Sequence, residues 1–254
     1  MVLVYGLLRQ VLLLGSLFVF YRAGRLLSAH SGQAASDHGQ SLWEVERALR
    51  IPSEAALQQL ALDAHWTIEF ANRYYVWMHF PVTAFFAAWL YLQHRQQYQR
   101  MRALLIGVSL PALIVQITYP VAPPRLLQIE GLVDTMARFG PSAYADVTSG
   151  MANQYAAMPS LHVGWALICA LAAWRVRGHL IGKVMLGHAV VTTLVVVVTA
   201  NHYWLDAVGG AALVLVVTQA LNYHEARRPS LSDGLSNAAS ESQSAVESVT
   251  AASS

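Results

Sequence analysis

Charged residues and cysteine are both scarce in this chain. Of its 254 residues only 12% are Asp, Glu, Lys or Arg, well below the roughly 25% that is typical of soluble domains. The net charge of +2 is too small to indicate a nucleic-acid partner. The single cysteine, Cys169, excludes an intrachain disulfide. It lies in an apolar run, where packing is its expected role.

Apolar residues are abundant instead and make up 56% of the chain. A helix needs about 20 largely apolar residues to cross a hydrocarbon layer of about 30 Å. We therefore predict an all-α fold, a polytopic membrane helix bundle with about six transmembrane helices. With their flanks, the apolar runs that supply them lie near residues 11–21, 74–92, 103–119, 161–174, 184–200 and 204–222.

The first apolar run also fits a signal peptide, because it lies near the N-terminus and is followed by Arg22 and Arg25. No convincing small-residue cleavage site follows it. We therefore expect residues 1–28 to form an uncleaved N-terminal membrane anchor helix.

Lysine and arginine indicate the orientation of the bundle, since short cytoplasmic loops accumulate them. Residues 94–102, residues 175–183 and the C-terminal tail carry them on one side. We predict that this side, with both termini, is cytoplasmic, and that loops 120–157 and 201–204 lie on the extracytoplasmic face of the cell membrane. Arginines within residues 22–73 weaken the asymmetry, but long loops count less in this rule.

The segment before the second span, residues 29–66, carries too many charges to cross a membrane. Its apolar residues recur at helical spacing in two series, separated at Pro52, and Ser53 is placed to cap the second. We predict two short amphipathic helices on the membrane face; a solvated connector fits the pattern equally well. Residues 225–254 form a Ser/Ala-rich tail that is predicted to be disordered and cytoplasmic.

Polar residues at the ends of membrane spans are costly, so each group of them is a candidate site. The first group closes the third predicted span in the sequence TYPVAPPRLL, where prolines end the helix and Arg125 follows on a rigid turn. A guanidinium held in this way suits bidentate recognition of phosphate. The alternative is an interfacial arginine that binds lipid head groups.

The second group is the sequence AMPSLHVGWAL, residues 157–167. Met158 and Pro159 indicate a helix start, and the free N–H groups of its first turn, with the Ser160 hydroxyl, are expected to form an anion-binding cradle. His162 lies at the top of this helix. Taken alone, a histidine on an apolar helix is more often structural.

The third group is the sequence TANHYWLDAVGGAAL, residues 199–213. His202 and Asp206 are four residues apart and share a face if the stretch is helical. The carboxylate then fixes the imidazole tautomer and leaves the other ring nitrogen as a nucleophile or base. Gly209 and Gly210 favour a close helix contact. Two histidines and an aspartate are also metal ligands, but no recognised ligand spacing is present, so we expect no metal and no cofactor.

Together the three groups resemble the type 2 phosphatidic acid phosphatase superfamily, whose members carry P-S-G-H and S-R-x5-H-x3-D blocks after a K-x6-R-P block. PSLH at 159–162 and HYWLD at 202–206 stand for the last two. Leu161 replaces the usual glycine, Val195 and Val196 replace the S-R pair, and APPR stands where K-x6-R-P is expected. These departures resemble the branch of inositol phosphorylceramide synthases and bacterial inositolphosphotransferase-like proteins.

The resemblance implies a role for each residue. His202 would be the nucleophile that becomes a phosphohistidine, oriented by Asp206. His162 would be the general acid and then the general base. Residues 67–224 would form the catalytic transmembrane domain. The substrate-binding residues would be Arg125, Ser160 and Arg138.

The predicted activity transfers a phosphoryl or phospho-head group from a phospholipid or lipid-linked phosphate to an alcohol, with inositol or another polyol favoured. The loop 126–157 offers side chains for binding hydroxyl groups, namely Asp134, Asp146, Asn153 and Gln154. A lipid phosphate phosphatase, with water as the acceptor, would use the same site. A non-catalytic lipid-binding or transport protein is the third hypothesis, which the complete set of two histidines and one aspartate disfavours.

Overall fold

The computed structural model describes residues 32–142, 154–177 and 179–227; the predicted anchor helix and nearly all of the predicted tail lie outside these ranges. Within them the chain forms helices and no β-strand, which confirms the predicted all-α class. The helices are α1 (Gly32–Ala48), α2 (Glu54–Leu62), α3 (His65–Trp77), α4 (His79–Gln93), α5 (Arg95–Thr118), α6 (Thr135–Phe139), α7 (Leu161–Arg177), α8 (His179–Val198) and α9 (Trp204–Ala226), with a 3₁₀ turn at Pro124–Leu126.

Three described helices are long and apolar enough to cross a membrane: α5 with 24 residues, α9 with 23, and the 19 residues Leu180–Val198 of α8. The pair α3 and α4 makes a fourth if it is counted as one broken span, while α7 is a shorter apolar helix. The chain is therefore an integral membrane protein. The number of about six spans stays a prediction for the whole chain.

The second predicted span is bent by 48° between α3 and α4. Pro81 explains the bend, because it has no N–H to donate to the Trp77 carbonyl and its ring crowds that oxygen. α3 consequently ends at Trp77 and α4 begins at His79. The break leaves a histidine at the junction, inside the bundle.

Helix α7 is central to the bundle and packs against α8, α5 and α4. Side chains of α3, α7 and α8 form the core around the site, including Ala71, Tyr75, Val163 and Val196. On the outside, large apolar side chains such as Phe85 and Leu180 are 77% and 74% exposed, as expected of surfaces that face lipid. The chain divides into two compact units at Val217, and the candidate site lies wholly in the first.

The predicted pair of short helices before the second span is present as α1 and α2. As predicted, Ser53 caps α2, and its hydroxyl accepts a hydrogen bond from the Ala56 amide at 3.4 Å. Apolar side chains remain exposed on both helices, including Val45 and Leu60. These exposed side chains fit an amphipathic pair at a membrane surface.

Candidate active site

The imidazole of His202 is held by two acceptors on one ring nitrogen. Its Nδ1 lies 2.8 Å from the carbonyl oxygen of Ala157 and 3.2 Å from Oδ2 of Asp206. Because both partners accept, Nδ1 carries the hydrogen and Nε2 keeps its lone pair. A buried imidazole oriented in this way is suited to nucleophilic attack through Nε2.

Asp206 organises the start of α9 with both its side chain and its backbone. Its Oδ2 also accepts a hydrogen bond from the Tyr203 amide at 2.9 Å, and its carbonyl accepts one from the Ser160 amide at 3.0 Å. α9 begins at Trp204, so His202 precedes the helix and does not share a helical face with Asp206. The predicted contact forms because the carboxylate folds back over the turn.

Ser160 directly precedes α7 and caps it. Its hydroxyl accepts a hydrogen bond from the Val163 amide at 3.4 Å, and the helix begins at Leu161, so Pro159 lies ahead of the helix and does not open it. The Ser160 amide is already donated across the bundle, so the first-turn amides without an intrahelical acceptor are those of Leu161 and His162. The predicted anion cradle therefore has fewer amides available to bind an anion than we expected.

The ring of His162 contacts three other rings. It stacks on Tyr75 with centroids 4.6 Å apart and meets His202 edge-on at 5.6 Å. His79, at the bend between α3 and α4, lies 4.4 Å from His162. Neither Tyr75 nor His79 was predicted to have a role in the site. Their spacing of four residues was the available signal that both lie on the same side of the second span.

Arg125 lies on the turn that follows α5, and its side chain is 3% exposed. Its amide donates to the Ala200 carbonyl at 2.9 Å, and its Nε donates to Oδ1 of Asn201 at 3.0 Å. Its Nη1 donates to Oδ2 of Asp134 at 3.3 Å. These bonds fix the guanidinium beside the residue that directly precedes His202. Asn201 was not among the predicted site residues.

An open cavity adjoins Arg125 and is lined by Arg125, Asp134, Met136, Ala137, Gly140, Ser142 and Gln154. Asp134 and Gln154, two of the residues predicted to bind hydroxyl groups, lie on its wall. Asp146 and Asn153 fall outside the described residues. Arg138 is not among the lining residues, and its guanidinium lies over the Phe139 ring, 5.3 Å from the centroid. The structure thus brings Arg125 to the cavity and does not bring Arg138 there.

Val195 and Val196 occupy the positions that the resemblance assigns to a serine and an arginine. Both are buried, at 5% and 0% exposure, and both pack in the core with Val163 and Ala207. The arginine that the structure brings near His202 is instead Arg125, through its bond to Asn201.

Among the described residues, no group of three or more His, Cys, Asp or Glu side chains has the arrangement of a metal site. The polar groups that surround His202 are instead an aspartate, backbone groups and aromatic rings. Their arrangement supports a nucleophile with an adjacent acid, and the amides of the cradle and Arg125 supply donors for an anion.

The chain is similar to the inositol phosphorylceramide synthase catalytic subunit aur1 of Schizosaccharomyces pombe, at 27% identity over 126 residues. The matched region is 43% of this chain and 29% of that relative, so the chain spans less than a third of the relative's length. No solved structure matches the chain. The model of the PAP2 superfamily matches residues 40–220, which include Arg125, Ser160, His162, His202 and Asp206. The chain therefore belongs to the PAP2 superfamily.

Proposed function

We propose that the protein is a membrane enzyme that transfers a phosphoryl or phospho-head group from a lipid donor to an alcohol through a phosphohistidine. The observation that supports this most directly is the double acceptor at Nδ1 of His202, which leaves Nε2 as a nucleophile. Membership of the PAP2 superfamily supports the same class of chemistry. The similarity to a protein named as an inositol phosphorylceramide synthase subunit supports a lipid substrate.

In the first half of the proposed reaction, Nε2 of His202 forms a bond to phosphorus while the bond from phosphorus to the leaving oxygen breaks. His162 donates a proton to that oxygen. Charge on the phosphoryl oxygens is stabilised by Arg125 and by the free amides at the start of α7. Ser160 contributes by capping the helix that presents those amides.

In the second half, His162 takes a proton from the acceptor hydroxyl as that oxygen bonds to phosphorus and the phosphorus–nitrogen bond breaks. We propose an alcohol, inositol or another polyol, as the acceptor. The cavity beside Arg125 supports this choice, because Asp134 and Gln154 lie on its wall. The Asp134 carboxylate can accept hydrogen bonds from hydroxyl groups, and the Gln154 amide can both donate and accept them. Water in the same place would make the protein a lipid phosphate phosphatase.

The proposed site lies on the extracytoplasmic face of the cell membrane, with both termini in the cytoplasm. Arg125, His162 and His202 lie at the ends of α5, α7 and α8 that are opposite the Arg-rich start of α5. We place the start of α5 on the cytoplasmic side by the distribution of positive charge.

The test is an assay of the purified protein on phospholipids with a labelled head group, with and without inositol. We expect a labelled transfer product that depends on inositol, an acid-labile phosphoenzyme, and activity that persists in excess EDTA. His202→Ala should abolish turnover and the phosphoenzyme, while the matched control His224→Ala, an exposed histidine far along α9, should retain both. Release of inorganic phosphate at the same rate with and without inositol would favour the phosphatase. Wild-type turnover by His202→Ala would overturn the mechanism.

A further inference from the structure

Two glutamates of the short helices before the second span are buried against the start of α9. Glu46 of α1 and Glu54 of α2 are both 0% exposed. Oε1 of Glu46 accepts a hydrogen bond from the Leu205 amide at 2.7 Å. Leu205 directly precedes Asp206, so this bond reaches the helical turn that carries the candidate active site.

Burial and neighbouring carboxyl groups favour the protonated form of Glu46. Burial raises the pKa of Glu46 to about 9, and its hydrogen bond to Glu54 acts in the same direction. At neutral pH the Glu46 carboxyl is therefore protonated. Nη2 of Arg47 lies 3.0 Å from Oε2 of Glu54.

The first amides of α9 need acceptors other than the carbonyl groups of a preceding helical turn, because there is no such turn. The Tyr203 amide, just ahead of the helix, uses Asp206, and the Leu205 amide uses Glu46. Both acceptors are carboxyl groups, and Asp206 also holds His202. A shift of α9 relative to α1 therefore moves the nucleophile.

We propose that Glu46 is a positioning residue for His202 and Asp206, because its carboxyl group joins the short helix α1 to the first turn of α9. The inference rests on the proposed function, in which His202 is the nucleophile. Ionisation of Glu46 places a buried negative charge beside the carboxyl groups of Glu54 and Asp206. The resulting repulsion loosens the contact between α1 and α9 and misaligns the nucleophile.

The titratable groups around the Glu46 carboxyl come from α1, α2 and the start of α9. Burial and the neighbouring carboxyl groups raise the pKa of Tyr203, which stays neutral and donates to the Ala122 carbonyl at 2.9 Å. Glu46 is thus the group of this cluster that is expected to ionise in the mildly alkaline range. The titratable and charged groups that face Glu46 are Arg47, Glu54, Tyr203 and Asp206.

Two variants at position 46 test the proposal by turnover of a lipid phosphate between about pH 6 and about pH 10. Glu46→Gln keeps an oxygen for the Leu205 amide and an N–H for Glu54, but it cannot ionise. We expect this variant to match the wild type at neutral pH and to lack the loss of kcat that the wild type shows near pH 9. Glu46→Ala should lower kcat at least about tenfold with little change in KM.

The matched control is Glu44→Gln, which changes an exposed glutamate on the same helix and should leave the pH profile unchanged. An alkaline loss of kcat in Glu46→Gln that equals the wild-type loss would overturn the proposal. Full activity of Glu46→Ala at neutral pH would overturn it as well.

Hydrogen exchange gives a readout that does not depend on turnover. If α1 holds the start of α9, amides of residues 203–207 should exchange at least about tenfold faster in Glu46→Ala than in Glu46→Gln at neutral pH. Equal exchange in the two variants would contradict the positioning role. If the wild-type amides are protected but the protein shows no turnover, the result would contradict only the proposed function.

Discussion

A Cβ atom added to Gly210 would lie 2.4 Å from the carbonyl oxygen of Ser160. At this contact the backbones of α9 and α7 touch directly beneath the candidate site. A Cβ atom on the neighbouring Gly209 would lie 3.5 Å from Cβ of Pro159, an ordinary van der Waals distance. Position 209 of α9 therefore has room for a Cβ atom, whereas position 210 does not.

We expect Gly210→Ala to force α9 away from Ser160 and to lower both activity and stability. Overpacking of this kind costs about 1–3 kcal/mol, and activity should fall at least about tenfold because His162 and His202 move apart. Gly209→Ala is the control and should remain close to the wild type. Thermal unfolding and turnover of both variants check this, and equal behaviour of the two would contradict the close contact.

Replacing Asp206 by Asn should leave the fold intact and reduce kcat by about 10²–10⁴-fold, as expected when an orienting carboxylate is lost and the imidazole tautomer changes. The Asn oxygen can still accept from the Tyr203 amide, so the turn before α9 should persist. Turnover and circular dichroism measured on the same sample separate the two effects. Retention of more than about half the activity would argue against Nε2 of His202 as the nucleophile.

Arg125 and Arg138 offer a matched pair of lysine substitutions. Arg125→Lys keeps the charge but loses the Nε bond to Asn201, so turnover should fall about 10–100-fold, in line with about 1.5–3 kcal/mol for a charged hydrogen bond. Arg138→Lys removes only a guanidinium that lies on Phe139 and should have little effect. If the two variants lose activity equally, Arg138 also contributes to substrate binding.

The raised pKa of Glu46 also predicts how stability depends on pH. Between its ordinary pKa of 4.5 and about 9, the folded protein keeps a proton that the unfolded chain releases. The free energy of unfolding therefore falls as pH rises through this window and levels off above it. Glu46→Gln has no such proton, so its Tm should fall less over the same range. Parallel Tm curves for the variant and the wild type would contradict the shift.

The orientation of the bundle is testable with two introduced cysteines, because the native Cys169 is buried. Glu130→Cys lies between α5 and α6, and Gln96→Cys lies in the first turn of α5; both positions are exposed. A membrane-impermeant maleimide should label position 130 in intact cells and position 96 only after permeabilisation. The reverse pattern would place the site on the cytoplasmic face.

The sequence predicted well those features that depend on neighbours along the chain. The spacing of His202 and Asp206 correctly indicated that they meet, since four residues are close both within a helix and across its first turn. Ser53 was correctly identified as a helix cap because capping is local. The apolar run at 74–92 was also predicted to be a span, but its bend was not predicted. Pro81 within the run was the signal for the bend.

Contacts between residues far apart in the sequence could not be predicted from local patterns. Periodicity places glutamates on the solvent side of an amphipathic helix, yet Glu46 is buried because an amide far along the chain, that of Leu205, needs an acceptor. The link from Arg125 to Asn201 joins residues separated by 76 positions. Neither pairing has a signature in the sequence, since each depends on how the helices pack.

The backbone carbonyl of Asp206 has a practical consequence for mutagenesis. It accepts the Ser160 amide whatever side chain stands at position 206, so the two histidine-bearing segments remain tethered in every substitution made there. Side-chain scanning at this position therefore probes the orientation of the nucleophile without altering the spacing of the two motifs. A change to the main chain itself, such as an ester in place of the Ser160 peptide N–H, would remove that hydrogen bond directly and measure its contribution.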